Sequence, residues 1–301
     1  VADLNVSLGA AARTALCDAF EGARRSIDAQ FYSVGDAAVI DSLNRAALRG
    51  VDVTVHVEGD RGRYLHHGAH VPVDAHVRAG AAAYAARFDA RVHWVVEADP
   101  VVLEHGKAAV VDDTRAFVAT ANPNDDGFAQ PGQVLVEDDA CDDVTAIHDA
   151  IEGRATQSAR IVIGPDSTAR ERIVGLLNAP RSERIAVEDL SDRELVDALV
   201  ARRRRGLHDE VLVKYEHGTP VLPLGRLAAS GVAVRTIVGA HLHDKYIDAG
   251  DRIYVGSANL TRNGLDEARE IGIIAPAADF DDGGASLRAE FDRMWSQAEP
   301  L

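Results

Sequence analysis

The 301-residue chain reads as an α/β protein in which one structural plan occurs twice. Three observations predict this. Each half runs strand–helix–strand with short links, the pattern of parallel pairing in an α/β sheet. Residues 121–127 align without gaps on residues 258–264, at an offset of 137. A histidine–x–lysine triplet also occurs once in each half, at His105 and at His243.

The elements follow in order. Residues 11–22 carry apolar positions at helical spacing, and 26–32 reads as a strand. A helix over about 37–48 ends at Gly50, a normal stop signal, before an alternating strand over 51–57. The second half repeats the order: helix 168–177, strand 184–188, helix 193–203, Gly206 and strand 210–215. The offset of 137 sets Gln133 on Glu270 and 134–136 on 271–273, whereas the histidines are offset by 138. The second copy has therefore lost one residue between its histidine and its asparagine turn. The halves divide at 155, giving repeats 1–155 and 156–301.

The largest asymmetry is the segment 58–89, with His66, His67, His70 and an alanine-rich stretch at 81–86. No cysteine and no HExxH pair supports metal ligation there. The segment is expected to be a loop or small helix over the mouth of the site. Cys17 and Cys141 lack metal-ligand spacing, and Cys17 is expected to be a buried free thiol. The run Arg202–Arg205 suits a helix C-terminus better than a nucleic-acid patch, and Trp94 and Trp295 suit core or interface positions.

Net charge is −16, with 29 arginines and only 3 lysines. An acidic surface repels nucleic acid and anionic membranes alike at low salt, so a polyanionic substrate needs a local cationic site. The composition fits a surface adapted to high salt, and GC-rich codon usage would also favour Arg over Lys. No apolar run is long enough to span a membrane. Because the chain opens at Val1, a cytoplasmic protein and a secreted one with its leader removed both remain open.

Two of the three lysines sit two residues after a histidine: His105-Gly106-Lys107, followed by Asp112, and His243-Asp244-Lys245. Each triplet precedes a small-residue turn, Thr120-Ala121-Asn122 or Ser257-Ala258-Asn259. One imidazole can attack phosphorus while the other, protonated, gives its proton to the leaving oxygen. Lysines at His+2 on a strand share the histidine's face and can neutralise the non-bridging oxygens. Thr120, Ser257, Asn122 and Asn259 offer neutral donors. This chemistry requires no metal and no cofactor.

These residues resemble the phospholipase D superfamily, whose HxKx4D signature and GSxN-type turn occur twice. His105-x-Lys107-(x4)-Asp112 matches in full, and Gly256-Ser257-Ala258-Asn259 followed by Glu270 matches the second block. Phe291-Asp292-Arg293-Met294-Trp295 is similar to the closing helix of many members. The resemblance implies two similar α/β repeats packed side by side with one active site at their interface. It also implies metal-independent phosphodiester cleavage or transfer through a phosphohistidine. The implied catalytic set is His105, Lys107, His243 and Lys245, supported by Asn122, Asn259, Asp112 and Glu270, with Thr120, Ser257 and Gln133 contacting substrate.

The second copy departs from the pattern. Its His+7 position is Gly250, flanked by Asp248 and Asp251, and Gln133 stands where the other half has Glu270. Placing Glu270 beside His243 would favour that histidine as the resting acid and His105 as the nucleophile. With both motifs in one chain, a monomer is expected to hold the whole site. The compact length leans toward nuclease-like action on nucleic acid or a small phosphodiester. The alternatives are phospholipase D or transphosphatidylase action on phospholipid head groups, and a non-catalytic phosphate binder.

Overall fold

The computed structural model describes residues 4–58, 87–97, 102–124, 127–154, 158–214 and 221–301. Calls on His66, His67, His70 and the stretch 81–86 fall outside these residues, as does the predicted boundary at 155.

Two sheets carry the chain. The first contains β1 (Leu4–Leu8), β2 (Ser26–Phe31), β3 (Asp52–Glu58), β4 (His93–Glu97), β5 (Ala108–Val111), β6 (Arg115–Ala119) and β7 (Val134–Asp138), in the order β1-β7-β6-β5-β2-β3-β4. The second contains β8 (Ile161–Gly164), β9 (Arg184–Val187), β10 (Glu210–Val213), β11 (Ala233–Thr236), β12 (Lys245–Asp248), β13 (Arg252–Gly256), β14 (Glu270–Pro276) and β15 (Glu299–Pro300). Its order, β15-β11-β10-β9-β12-β13-β14-β8, repeats the first with one terminal strand added. In both sheets three consecutive strands pair in parallel, β2-β3-β4 and β9-β10-β11, and the remaining pairs are antiparallel.

The helices repeat as well. α1 (Ala10–Gly22) and α2 (Ala37–Leu48) correspond to α4 (Ser167–Leu176) and α5 (Arg193–Arg204). Asp36 caps α2 by accepting from Ala38 N and Val39 N, and Asp192 caps α5 by accepting from Leu195 N. α3 (Cys141–Ile151) corresponds to α7 (Ala285–Gln297), while α6 (Val221–Ala229) belongs to the second half. Val144 and Ile147 of α3 and Phe291 and Met294 of α7 share one apolar cluster with Val118, Val136, Val255 and Ile273. The inner faces of both sheets therefore belong to a single core, which holds the two halves together. Separate outer clusters seat α1 and α2 on the first sheet and α4, α5 and α6 on the second.

Two expectations are adjusted here. Arg202 stands in the last turn of α5, as expected of a helix C-terminus, but its guanidinium is fully buried and belongs to no surface patch. It pairs with Glu183 at 3.0 Å and Asp209 at 2.8 Å and donates to the carbonyls of Leu177, Ala179 and Arg181. Cys17 is half-buried and Cys141 exposed, and both are free thiols. Trp94 packs on Phe88, and Trp295 stacks on Phe291 as expected of core and interface residues.

Candidate active site

Lys107 immediately precedes β5 and Lys245 opens β12, the antiparallel partners of β2 and β9. Both ammonium-bearing side chains are sealed, at 0% and 1% exposure. Lys107 Nζ donates to His105 O at 2.6 Å. Burial pushes its pKa down to about 7; Glu270 opposes that fall and Lys245 adds to it. Lys245 Nζ donates to Glu188 Oε2 at 2.9 Å and to His243 O at 3.2 Å.

His105 is held by the other half of the chain. Its Nδ1 lies 2.8 Å from Glu270 Oε1 at the start of β14, and Ser257 Oγ donates to the second carboxylate oxygen. The backbone reinforces this contact: His105 N donates to Arg269 O at 3.0 Å, and Arg269 N donates to Leu103 O at 2.8 Å. Tyr32 sets its ring edge-on to the imidazole, with centroids 5.7 Å apart. Burial lowers the His105 pKa, while the charge of Glu270 pulls it back up. This corrects the expectation that Glu270 would serve His243. The carboxylate crosses between halves.

His243 is held in the reciprocal way. Its Nδ1 lies 3.0 Å from Thr120 O of the first half and 3.0 Å from Lys245 Nζ, and its Nε2 lies 3.3 Å from Glu188 Oε2. A neutral ring can accept from Lys245, whereas an imidazolium finds acceptors in Thr120 O and Glu188. Each protonation state has its partners. Burial, followed by the charge of Lys245, carries the His243 pKa well below the usual histidine range, with Glu188 opposing. Burial also disfavours the charge on Glu188, but Lys245, His241 and His243 outweigh it and lower that carboxyl's pKa.

The remaining expected residues divide. Asn259 sits in the site, with its Nδ2 3.5 Å from Glu188 Oε2 and its Oδ1 accepting from Asp189 N at 3.3 Å. Asn122 lines a cavity of about 170 Å³ with Asn124, Gln130, His241 and His243, and its buried Oδ1 has no hydrogen-bond partner among the described residues. Thr120 and Ser257 are fully buried, and their hydroxyls are engaged within the fold. Thr120 Oγ1 bonds Gly132 O and Val134 N, and Ser257 Oγ bonds Glu270 and Ile271 N. Gln133 is also buried, with its amide nitrogen 3.4 Å from Pro131 O.

Asp112 is not a site residue. It lies just past the far end of β5, five residues and roughly 16 Å of extended chain from Lys107. Its carboxylate receives the backbone N–H groups of Arg24, Arg25 and Ser26. Asp112 has a left-handed φ of 56°, and Gly250, its counterpart, has φ 91°. The second copy therefore keeps the turn without the carboxylate. Asp248 instead pairs with Arg288 at 2.8 Å, and Asp251 contributes its backbone carbonyl to Ala277 N.

Sequence reasoning missed Glu188 and Tyr32. They follow β9 and β2 at equivalent positions, one against each histidine of the doubled triplet. Their signal is topological, since ligands in α/β sheets bind beyond the carboxyl ends of parallel strands. His241 was missed too. Its Nε2 lies 3.1 Å from Glu188 Oε1, and its backbone N donates to Gln130 Oε1 at 3.2 Å.

A family model described as cardiolipin synthase, PLD-like domain, matches residues 16–152 and 173–295. The chain belongs to the phospholipase D superfamily, a family of phosphodiester-acting enzymes. Phosphatidylserine synthase from Haemophilus influenzae Rd KW20 has a similar fold, with TM-score 0.71 at 12% identity, over 98% of this chain and 87% of that one. Polyphosphate kinase from Porphyromonas gingivalis gives TM-score 0.60 at 17% identity over 87% of this chain, which spans 42% of the kinase's length. Nuc, a phospholipase D family member from Salmonella typhimurium, matches 47% of the chain at 20% identity, with TM-score 0.43 over 95% of its own length. No curated protein sequence gives a significant match. Among the described residues of this superfamily member, no helix is long and apolar enough to cross a membrane.

Proposed function

We propose that the protein cleaves or transfers phosphodiesters in two steps, with His105 as the nucleophile and His243 as the proton carrier. The pairing of His105 Nδ1 with Glu270 Oε1 at 2.8 Å carries the reading. A proton on Nδ1 donated to the carboxylate leaves the Nε2 lone pair for attack on phosphorus. Burial keeps the ring neutral at rest, as a nucleophile requires.

The P–N bond forms as the P–O bond to the leaving group breaks, and His243 gives that oxygen a proton. His243 then takes a proton from water or an alcohol, which attacks phosphorus and releases His105. Lys107 and Lys245 face the charge gathered on the non-bridging oxygens. The incoming anion offsets the lysines' repulsion and thereby favours the imidazolium form of His243. Asn122 and Asn259 border the same space.

The substrate reading is nuclease-like, acting on nucleic acid or a small phosphodiester. A second reading, phospholipid head-group chemistry, is supported by the cardiolipin synthase description of the matching model and by the full-length likeness to a phosphatidylserine synthase. Hydrolysis of bis(p-nitrophenyl) phosphate in EDTA is expected, and it should be abolished in His105→Ala and His243→Ala. No turnover across pH and salt would point instead to a phosphate binder. Single-stranded DNA and phosphatidylcholine vesicles assayed in parallel then separate the two substrates.

A further inference from the structure

A second group of ligating side chains lies on the first sheet, away from the histidine–lysine site. Asp28 comes from β2 and His56 from β3, while His148 and Glu152 lie four residues apart at the end of α3 and so share one helix face. Ligand atoms of Asp28, His148 and Glu152 all lie within 4.8 Å of one another. His148 Nε2 is 3.8 Å from Asp28 Oδ2, and His56 Nε2 is 3.7 Å from Glu152 Oε1.

These spacings are those of ion pairs and exceed hydrogen-bond length. They approach the separation of neighbouring ligands around a tetrahedral ion, about 3.3 Å for metal–ligand bonds of about 2.0–2.1 Å. His56 stands beside the threesome of Asp28, His148 and Glu152 and meets it through Glu152. Glu152, Asp113 and Asp52 add negative charge around Asp28, and His148 faces it. Arg154 lies 3.6 Å from the other oxygen of Glu152 but is bound to Asp149 at 2.8 Å.

We propose that Asp28, His56, His148 and Glu152 form a binding site for one divalent transition-metal ion of the zinc type. Two imidazoles and two carboxylates suit zinc, whereas calcium and magnesium prefer all-oxygen shells. The nearest comparable group, Glu188 with His241 and His243, already holds the ammonium of Lys245. The ion would fasten the end of α3 to β2 and β3. Since α3 packs against β8 as well as the first sheet, the clamp would also brace the join between the halves. It takes part in no step at His105.

The test uses the metal-stripped full chain at pH 7.5, with zinc chloride titrated by calorimetry and followed by thermal unfolding. One ion per chain is expected, with a rise in Tm. His148→Gln and Glu152→Gln should each weaken binding by at least about tenfold, because even changes behind a ligand cost 10–100-fold. Both positions are partly exposed, and circular dichroism checks that the variants fold. Cobalt(II) on the unaltered chain should give a tetrahedral visible spectrum. Absence of zinc binding, or calcium binding as tight as zinc, would overturn the proposal. So would zinc binding that survives both variants but is lost in His241→Gln or on replacing His66, His67 and His70 by alanine.

Discussion

Replacing Glu270 by glutamine tests the crossing of the halves at its most consequential contact. Glu270 Oε1 lies 2.8 Å from His105 Nδ1, in side chains only 5% and 14% exposed. A hydrogen bond to a charged group contributes about 1.5–3 kcal/mol, which is roughly 10- to 100-fold in rate if it is felt in the transition state. Glutamine can also donate its amide N–H to Nδ1 and so place the ring proton on Nε2, blocking the nucleophile. In a serine protease, a comparable change at the carboxylate behind histidine costs about 10⁴-fold. The expected fall in kcat is therefore about 10²- to 10⁴-fold, with far-UV circular dichroism unchanged. The pH profile adds a sign. Glu270 raises the His105 pKa, so its removal should move the limb governed by that histidine to lower pH. Turnover of bis(p-nitrophenyl) phosphate and intact-mass detection of phosphohistidine read the two effects. A loss of less than about threefold, a shift of the limb to higher pH, or phosphate trapped on His243 would refute the assignment.

The other predictions concern charge inside the fold. Lys107, with a pKa of about 7, is roughly one-tenth protonated at pH 8, so sulfate binding there should draw in close to one proton. Calorimetry in buffers of different ionisation enthalpy measures that uptake, and Lys107→Met should remove it. Glu188→Gln leaves Lys245 buried without its carboxylate and should cost about 3–5 kcal/mol in urea unfolding. Glu188 has a depressed pKa, so its contribution is present above its unfolded value of 4.5 and is lost as pH falls; the variant should show a weaker acid dependence. Arg202→Ala should destabilise by a similar 3–5 kcal/mol, because it strands Glu183 and Asp209 in the interior. If the net charge of −16 reflects adaptation to salt, Tm should rise through molar KCl, and maximal stability at low salt would dismiss that idea.

The elements were legible because their signals are local. Asp36 and Asp192 cap helices, Gly50 and Gly206 take left-handed turns after them, and apolar alternation marks the strands between. The doubled His–x–Lys triplet was legible for the same reason. Partner choice was not, because it is set by tertiary contacts. Glu270 aligns with Gln133, but nothing in that alignment says which histidine it meets. The answer depends on the strap between 103–105 and Arg269, which forms only when both sheets share a core. Asp112 misled for the opposite reason: its place in the motif looked catalytic, yet three backbone N–H groups and a left-handed φ explain it. Arg202 could not be told from the exposed arginines beside it, since burial leaves no mark on a basic run.

The two half-sites gain different electrostatics from the same topology. At equivalent positions after β2 and β9, the first half places Tyr32 and the second places Glu188. Behind the histidines, His105 receives Glu270, while His243 receives a backbone carbonyl from Thr120. Glu188 is also shared with Lys245 and His241, so it neutralises a cluster, whereas Glu270 orients one ring. A ring backed by a carboxylate through Nδ1 keeps Nε2 as a lone pair. A ring set among a lysine, a carbonyl and a carboxylate has partners in both protonation states. The repeat holds two copies of one device, and under the proposed mechanism the divergence at 32/188 and 133/270 suits one copy to attack phosphorus and the other to carry the proton.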